Sequence, residues 1–442
     1  MKIAVIGSTH AGTAAVTNMA TLYPEAEITV YERNDNISFL SCGLALYVGG
    51  VVEDPKTLFY SSPEKLQELG INVKIQHDVK NIDTDKQTIE AVNLVTGEEV
   101  ADRYDKLVMS TGSWPVTPPI PGINLENVLL AKNYSHSNTI IEKAKSAEHV
   151  TVVGAGYIGV ELVEAFEKAG KRVTLIDGVD RILNRYLDEE FTRLVEADFV
   201  NRGIELRLGE SVVEFSGNEE VQAVVTNKGR VETDLVIMCV GFRPNTELLK
   251  GKVDMLDNGA IKVNEYMQTS DENIYSAGDC CAVKYNPTGQ HAYIPLATNA
   301  VRMGTLVARN IVQPTMKNVG TQGTSGLHIF DLNMASTGLT ETSALALDIN
   351  VKSITINEKH RPEFMPTSED VQLKISYEPE TRKILGAQVI SKADVTQSIN
   401  TLSVCVQTGM TIDELGFVDF FFQPHFNQPW NFLNKAGLAA AQ

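Results

Sequence analysis

The chain has 442 residues, enough for roughly two to three domains with a large core. Its 43% hydrophobic and 21% charged residues are typical of a globular protein, and no apolar run reaches membrane-spanning length. The net charge of −18 disfavours nucleic acid and anionic membrane surfaces as partners. Five cysteines in so long a chain do not form a disulfide framework, so we expect a reducing, cytoplasmic compartment.

The chain opens with a strand–helix–strand pattern, which we predict over residues 2–7, 14–22 and 27–32. The turn after the first strand runs from Gly7 to Gly12, and Thr9 replaces the middle glycine of the G-x-G-x-x-G dinucleotide fingerprint. Glu32 ends the second strand, where an acid holds the ribose hydroxyls of a bound dinucleotide. By itself this incomplete fingerprint leaves a dinucleotide site and a chance turn equally open.

Cys42 is the single cysteine of an apolar stretch that follows the first unit. A redox disulfide of the C-x-x-x-x-C type needs a second cysteine at position 47, which is Tyr47. A lone thiol near a redox cofactor cycles between thiolate and sulfenic acid, or forms a mixed disulfide. The apolar residues after Cys42 predict a helix whose N-terminus favours the thiolate. The alternative is a buried structural cysteine.

A strand over residues 106–113 and four prolines between positions 115 and 121 mark a domain boundary. A second strand–helix–strand pattern then matches the full fingerprint, and we predict its elements over residues 149–153, 158–168 and 171–177. Glycines stand at Gly154, Gly156 and Gly159, and Asp177 ends the second strand. Strand, motif, helix and acid occur in order, so this is a strong signal for a dinucleotide. The acid at Asp177 favours NADH over NADPH.

Two more strand-to-turn segments follow, over residues 235–241 and 273–279, and the second ends in Asp279. An aspartate presented in this way suits a ribityl hydroxyl or a phosphate-side group, and the alternative is an ordinary turn. Residues 295–307 predict the start of a helix with free backbone N–H groups. The neighbouring Cys280 and Cys281 are interpreted as structural, and an accessory redox role is the alternative.

After residue 320 the glycine motifs stop and the pattern predicts an α+β domain. We predict its strands over residues 325–330, 351–356, 371–377 and 385–390, and its helices over residues 394–409 and 411–416. The domain ends in an aromatic-rich stretch, residues 420–426, of the kind that forms a core or an interface.

The motifs taken together resemble the single-cysteine branch of the flavin disulfide-reductase superfamily, which contains NADH oxidases, NADH peroxidases and coenzyme A disulfide reductases. The resemblance covers essentially the full length, and it rests on residues 7–12, 38–43, 111–113, 154–159, 239–242, 277–279 and 422–430. Residues 41–47 and 419–430 are similar to the water-forming NADH oxidases of that group. The family's first turn also carries the Thr-His pair, so Thr9 is not a departure.

The resemblance implies an α/β protein with two Rossmann-like units and a C-terminal α+β dimerisation domain. It places an FAD-binding domain at residues 1–115 and 242–320, an NAD(H)-binding domain at 116–241 and an interface domain at 321–442. It implies a homodimer or higher homo-oligomer, in which Phe422 and His425 reach the partner's active site.

The resemblance also implies roles for individual residues. Cys42 becomes the redox-active sulfur and His10 the acid/base beside it, Tyr157 covers the flavin until nicotinamide displaces it, and Tyr186 lies along NADH. The expected FAD-side residues are Gly7, Ser8, Thr9, Ala11, Gly12, Glu32, Ser41, Val79, Ser110, Thr111, Gly112, Ser113, Lys132, Asp279, Ala297 and Thr298. The expected NADH-side residues are Gly154, Gly156, Tyr157, Ile158, Gly159, Asp177, Tyr186 and Gly241. We predict no metal site.

The implied activity is oxidation of NADH through FAD with reduction of O2 to water, while Cys42 alternates between thiolate and sulfenic acid. Three alternatives stay open. A peroxidase would use the same residues on free H2O2, and a coenzyme A disulfide reductase would form a mixed disulfide at Cys42. A non-enzymatic redox-sensing flavoprotein would leave the pairing of His10 with Cys42 unexplained.

Overall fold

The computed structural model describes residues 1–441. Its first sheet is parallel and is assembled from two distant parts of the chain. Strand Lys2–Ile6 lies at the centre, between Glu27–Glu32 and Lys106–Met109. The two edge strands are Asn72–Ile75 and Ile274–Ser276. The central strands are apolar because helices and loops cover both faces of a parallel sheet.

Helices His10–Leu22 and Ala297–Asn310 pack on each other beside this sheet. Their contact is close, since a Cβ atom on Gly304 would lie 2.2 Å from the carbonyl oxygen of Ala11. The shorter elements of the same region comprise strands His77–Asp83, Thr88–Asn93, Glu99–Arg103, Ile261–Lys262, Cys281–Lys284 and His291–Ala292 and helices Leu44–Val48 and Pro63–Glu68. Single 3-10 turns occur at Ser41–Gly43, Pro55–Leu58 and Glu247–Leu249.

The second sheet is also parallel and has strand His149–Val153 at its centre. Its strand order is Glu205–Leu208, Arg172–Asp177, His149–Val153, Leu235–Met238 and Val128–Leu130. Its helices are Tyr134–Ala144, Tyr157–Lys168 and Glu189–Asn201. An antiparallel sheet of Val212–Gly217, Val221–Thr226 and Gly229–Glu232 packs alongside, and the pair Ser113–Pro115 and Phe242–Pro244 links the first and second regions.

The C-terminal region is built on an antiparallel sheet. Its strand order is Ser325–Ile329, Leu332–Gly338, Ile384–Ser391, Asp370–Tyr377 and Lys352–Lys359. Its helices are Glu341–Ala346, Ser398–Thr408, Ile412–Leu415 and Phe432–Ala440. The sheet and the last three helices share one apolar core.

The architecture confirms the predicted fold class of two Rossmann-like units and an α+β domain. The first helix begins at His10, four residues earlier than predicted, because it starts directly in the glycine turn. Strand Leu332–Gly338 was missed, since its polar Ser336 and Thr337 are buried inside the sheet rather than at its surface. Across residues 1–441, no helix combines the length and apolarity needed to cross a bilayer.

Candidate functional site

The first glycine turn, residues 7–12, is shaped by two close backbone contacts. Gly7 has a φ of +93°, and a Cβ atom there would lie 2.4 Å from the carbonyl oxygen of Ser110. A Cβ atom on Gly12 would lie 2.0 Å from the carbonyl oxygen of Gly7. Thr9 precedes the helix without capping it through its side chain, so the first-turn N–H groups, including that of Ala11, stay available to an anion.

The second glycine turn repeats this construction. Gly154 has a φ of +107°, and a Cβ atom there would lie 2.3 Å from the carbonyl oxygen of Cys239. A Cβ atom on Gly159 would lie 1.9 Å from the carbonyl oxygen of Gly154. A Cβ atom on Gly156 would meet no protein atom within 4 Å, so the space in front of the helix N-terminus is open to a pyrophosphate. Ile158 packs against the core of this unit.

Each turn is tied to the acid that ends the second strand of its unit. Glu32 accepts the backbone N–H of Ser8 at 2.8 Å. Asp177 accepts the corresponding N–H, that of Ala155, at 2.6 Å, and the N–H of Val179 at 2.8 Å. Burial raises the pKa of Glu32, while hydrogen bonds from Asn34 and Ser8 oppose this rise. Each acid therefore occupies the position at which a strand–helix–strand dinucleotide unit presents a carboxylate.

Cys42 is held by pairing between two loop segments of the first region. It lies in the 3-10 turn Ser41–Gly43, and helix Leu44–Val48 follows, as predicted. An antiparallel bridge joins Phe39 to Phe59, and Ser38 Oγ donates to the carbonyl of Ser61 at 2.8 Å. A Cβ atom on Gly43 would lie 2.5 Å from the side chain of Leu58, so the turn is packed closely against the partner segment.

The Cys42 thiol does not behave as the sequence predicts. The residue is exposed, yet the protein atoms around it desolvate the thiol and raise its pKa, and the carboxylates of Glu161 and Asp279 raise it further. Lys132 acts in the opposite direction. The predicted preference for the thiolate is therefore wrong for the protein chain without bound cofactors. The helix that follows Cys42 has only five residues, so its dipole lowers the thiol pKa by less than desolvation raises it. A neighbouring base has to take the proton.

His10 is the base that the structure offers. Burial lowers its pKa, with Asp279 raising it and Lys132 lowering it, so the imidazole is neutral near pH 7. Its Nε2 atom is buried, and no group in the described chain hydrogen-bonds to it. The pKa values of His10 and Cys42 are both affected by the same charged cluster, which contains Asp279 and Lys132.

Lys132, Ser113 and Asp279 form that cluster. Lys132 Nζ donates to Ser113 Oγ at 2.9 Å and lies 3.5 Å from Asp279 Oδ2. Ser113 Oγ donates to the same carboxylate oxygen at 2.9 Å. The ammonium also lies 4.4 Å from the ring centre of Phe242. These three predicted residues, which are far apart in sequence, are therefore brought together by the fold, with Ser113 in the two-stranded link between the regions.

Tyr157 and Tyr186 are stacked at the second turn, with ring centres 3.9 Å apart and planes at 16°. The hydroxyl of Tyr157 lies 2.7 Å from Oγ of Ser325, in the C-terminal sheet. Burial raises the pKa of both tyrosines. The two predicted tyrosines therefore lie together at the second turn, and Tyr157 also joins that turn to the C-terminal sheet.

The remaining predicted residues are spread over the turns, helix starts and core of the first region and its link to the second. Ser110 Oγ donates to the carbonyls of Ile6 and Gly7 at 3.0 and 2.9 Å, and Thr111 Oγ1 donates to that of Asn245 at 2.5 Å. Gly112 and Gly241 have φ values of +67° and +100°. Ala297 and Thr298 begin helix Ala297–Asn310, Ser41 begins the Cys42 turn, and Val79 lies in the first core. Cys280 and Cys281 are buried, and their thiols donate to backbone carbonyls.

Two residues near the site were missed from the sequence. Tyr60 stacks on His10, and the carboxylate of Glu161, on helix Tyr157–Lys168, raises the pKa of the Cys42 thiol. Burial, followed by repulsion from Glu164, raises the pKa of Glu161 to about 7. No local motif marks either residue. A carboxylate on the inward face of the predicted fingerprint helix is the signal that could have identified Glu161.

A buried ion cluster joins the second region to the C-terminal sheet close to Tyr186. Asp188 accepts hydrogen bonds from the N–H groups of Glu341 and Thr342 at 3.0 Å and from Gln388 Nε2 at 2.7 Å. Lys374 Nζ lies 3.1 Å from Asp188 Oδ2. This ion cluster fixes the segment that carries Tyr186 onto the C-terminal domain.

The C-terminal aromatic stretch is largely exposed in one chain. Phe422 is 47% exposed and Phe421 68%, and His425 is also exposed. The carbonyl of His425 accepts a hydrogen bond from Arg361 at 3.0 Å. A group of exposed aromatic rings of this kind marks an interaction surface.

The residues present fit FAD at the first turn and NADH at the second. Each turn provides a glycine cradle that a side chain would fill, free helix N–H groups and an acid for ribose. One buried polar atom at the first turn, Nε2 of His10, has no hydrogen-bond partner within residues 1–441. Such orphaned groups are expected where a polar cofactor binds.

Comparison with known proteins agrees with this geometry. Residues 1–304 match the model of the pyridine nucleotide-disulphide oxidoreductases, and residues 324–431 match the dimerisation domain of the same family. An NADH oxidase of Enterococcus faecalis is 57% identical over 444 residues, covering 100% of both chains. An NADH oxidase of Streptococcus pyogenes is 42% identical, covering 99% of both chains.

Solved structures are similar over the same length. The water-forming NADH oxidase from Lactobacillus brevis, solved with bound NADH, superimposes with a TM-score of 0.99 at 51% identity, covering 100% of this chain and 98% of that one. The reduced Bacillus anthracis CoADR-RHD has a TM-score of 0.96 at 30% identity, covering 100% of this chain and 80% of that one. The chain therefore belongs to the pyridine nucleotide-disulphide oxidoreductase family.

Proposed function

We propose that the chain is a flavoprotein NADH oxidase that reduces O2 to water, with the net reaction 2 NADH + O2 + 2 H+ → 2 NAD+ + 2 H2O. The observation that carries this proposal is the pairing of the loop that holds the single cysteine, Cys42, with the segment whose Tyr60 hydroxyl lies 3.1 Å from Nδ1 of His10. The charges of Asp279 and Lys132 act on both Cys42 and His10. The names of the most similar relatives support it. The substrates are NADH and O2, and the cofactor is FAD.

FAD, when bound, supplies hydride acceptance from NADH and electron transfer to O2 and to oxidised sulfur. Cys42 supplies the step that prevents release of peroxide. Its thiolate attacks hydrogen peroxide, so that an S–O bond forms, the O–O bond breaks, and the departing hydroxide takes a proton to become water. Two electrons from a second NADH then return the sulfenic acid to thiolate and release the second water.

His10 moves the protons in this scheme. The raised pKa of Cys42 keeps the sulfur protonated near pH 7, so a base is needed before it can attack. Neutral His10, with its buried Nε2, is suited to take that proton and then give it to the departing hydroxide.

We assign FAD to residues 1–115 and 242–320, NAD(H) to 116–241 and the interface to 321–442. The match to a dimerisation domain supports a homodimer or higher homo-oligomer. Within it, the exposed Phe422 and His425 contribute to the partner's site. Five free cysteines fit a reducing cytoplasm.

The test is the ratio of NADH to O2 consumed, measured together with released H2O2. The parent enzyme is expected to consume two NADH per O2 without peroxide, and Cys42→Ser one NADH per O2 with peroxide. Cys405→Ser, in the core of the C-terminal domain, controls for loss of a thiol elsewhere and should behave as the parent. If Cys42→Ser releases no more peroxide than the parent, the role of Cys42 is refuted.

The same assay separates the alternative activities. Little O2 uptake, together with rapid NADH oxidation after H2O2 is added, would indicate a peroxidase. Rapid oxidation only with coenzyme A disulfide would indicate the activity suggested by the CoADR-type relative.

A further inference from the structure

Tyr60 contacts His10 from the segment that pairs with the Cys42 loop. The two rings are stacked, with centres 5.8 Å apart and planes at 9°. The Tyr60 hydroxyl lies 3.1 Å from Nδ1 of His10 and 3.1 Å from the carbonyl oxygen of Thr9. Tyr60 is placed there by the bridge between Phe39 and Phe59, so the same pairing positions both Tyr60 and Cys42.

The two hydrogen bonds of this hydroxyl determine the tautomer of His10. A hydroxyl has a single proton to donate, and the carbonyl of Thr9 can only accept. If Tyr60 donates to Thr9, its oxygen accepts a hydrogen bond from Nδ1–H and both bonds form. If Tyr60 donates to Nδ1 instead, the bond to Thr9 is lost. The arrangement with more hydrogen bonds is therefore the one in which Nδ1 carries the proton of neutral His10.

That tautomer leaves Nε2 with a free lone pair. Nε2 is the buried ring atom to which nothing in the described chain is hydrogen-bonded. The charged side chains that act on the imidazole are Asp279 and Lys132, and they oppose each other. Tyr60 itself stays protonated, because burial raises its pKa to about 12.

We propose that Tyr60 is a positioning residue that fixes His10 as the Nδ1–H tautomer, so that Nε2 is the atom that accepts the proton of the Cys42 thiol. The inference rests on the proposed function for its chemical purpose. The proton moves from sulfur to Nε2 and leaves a thiolate and an imidazolium. The sulfur lone pair then forms the S–O bond with peroxide, the O–O electron pair leaves on hydroxide, and the imidazolium returns its proton to form water.

The tautomer can be read directly by nitrogen NMR of the holoenzyme with 15N-labelled histidine. The chain has 8 histidines, and the His10 resonances are identified by their loss in His10→Asn. In the parent we expect a protonated Nδ1 and an unprotonated Nε2 at neutral pH. Tyr60→Phe retains the stacked ring but removes the hydroxyl, so the two nitrogen shifts are expected to move toward each other as the tautomers mix.

Tyr47→Phe is the matched control, because Tyr47 lies on the Cys42 helix and its hydroxyl donates to Asn138 rather than to a histidine. It should leave the His10 shifts unchanged. An Nε2–H tautomer in the parent, or unchanged His10 shifts in Tyr60→Phe, would overturn the proposal. The spectrum of the parent enzyme alone shows which tautomer His10 adopts, even if Tyr60→Phe folds poorly.

A kinetic readout connects the tautomer to the reaction. With H2O2 added to the reduced enzyme, Tyr60→Phe is expected to slow sulfenic acid formation at Cys42 about fivefold, the size expected for loss of one hydrogen bond, with an unchanged KM for NADH. An unchanged rate would refute a role for Tyr60 in this step. The NMR result does not depend on the NADH:O2 ratio, so failure of the oxidase assignment and failure of this inference are distinguishable.

Discussion

Lys374 provides the sharpest prediction about how the C-terminal domain is attached. Its ammonium lies 2.7 Å from Glu190, 2.6 Å from Glu341 and 3.1 Å from Asp188, and its side chain is only 6% exposed. Lys374→Met keeps most of the volume but removes the charge. Asp188, with a side chain 3% exposed, would then be a buried carboxylate without its cation.

The destabilisation expected for Lys374→Met is set by the buried Asp188 carboxylate, which loses its cation. Burial alone would raise the pKa of Asp188, but hydrogen bonds from Thr342 and Gln388 and the charge of Lys374 lower it from 3.8 to about 2. At about 1.4 kcal/mol per pKa unit, the folded state favours the carboxylate by about 2.5 kcal/mol. This stabilisation is present above pH 3.8 and is lost as the pH falls toward 2. Removing one member of such a buried pair costs about 3–5 kcal/mol.

The assay is native-state hydrogen exchange of the holoenzyme at pH 7, resolved to peptides from helix Glu189–Asn201 and strand Asp370–Tyr377. Lys374→Met is expected to increase local opening about a hundredfold or more. Lys352→Met, an exposed lysine on the adjacent strand, is expected to change it by less than about threefold. Adding Asp188→Asn to Lys374→Met should restore part of the protection. Equal effects of the two lysine variants would refute the reasoning.

Three further predictions concern the nucleotide sites and the thiol. Asp177→Ala combined with Gly178→Arg removes the carboxylate proposed to hold the ribose and adds a cation for the 2′-phosphate of NADPH. The ratio of kcat/KM for NADPH to that for NADH should rise at least about tenfold in steady-state assays, because a hydrogen bond to a charged group contributes about 1.5–3 kcal/mol. A ratio that stays at the parent value would contradict the proposed role of Asp177. Gly7→Ala places a Cβ atom 2.4 Å from a carbonyl oxygen, so the purified protein should contain little flavin by absorbance, and full flavin content would contradict the site. Since burial raises the pKa of Cys42, the rate of its alkylation, measured by mass spectrometry, should still increase with pH above pH 9.0. Glu161→Gln removes a carboxylate that also raises this pKa, so it should speed the alkylation at pH 8. A rate that reaches its plateau below pH 9.0 would contradict the raised pKa.

The parts of the site that depend on local backbone chemistry could be predicted from sequence. The glycine turns and the acids at Glu32 and Asp177 are such parts, because each lies within one strand–helix–strand unit. Tyr60 could not be predicted, since it reaches His10 only through pairing of two irregular segments. The charge state of Cys42 was mispredicted for a similar reason. Its main determinants, desolvation and Glu161, come from tertiary packing rather than from the helix that follows it.

The division of the first sheet between distant parts of the chain determines the order in which the protein can fold during synthesis. Strand Lys106–Met109 lacks its neighbour Ile274–Ser276 until about 165 more residues have been made. At roughly 5–20 residues per second the ribosome needs about 8–33 seconds for that length. During this interval the second sheet is completed, while an apolar edge of the first stays unpaired and open to association with other nascent chains.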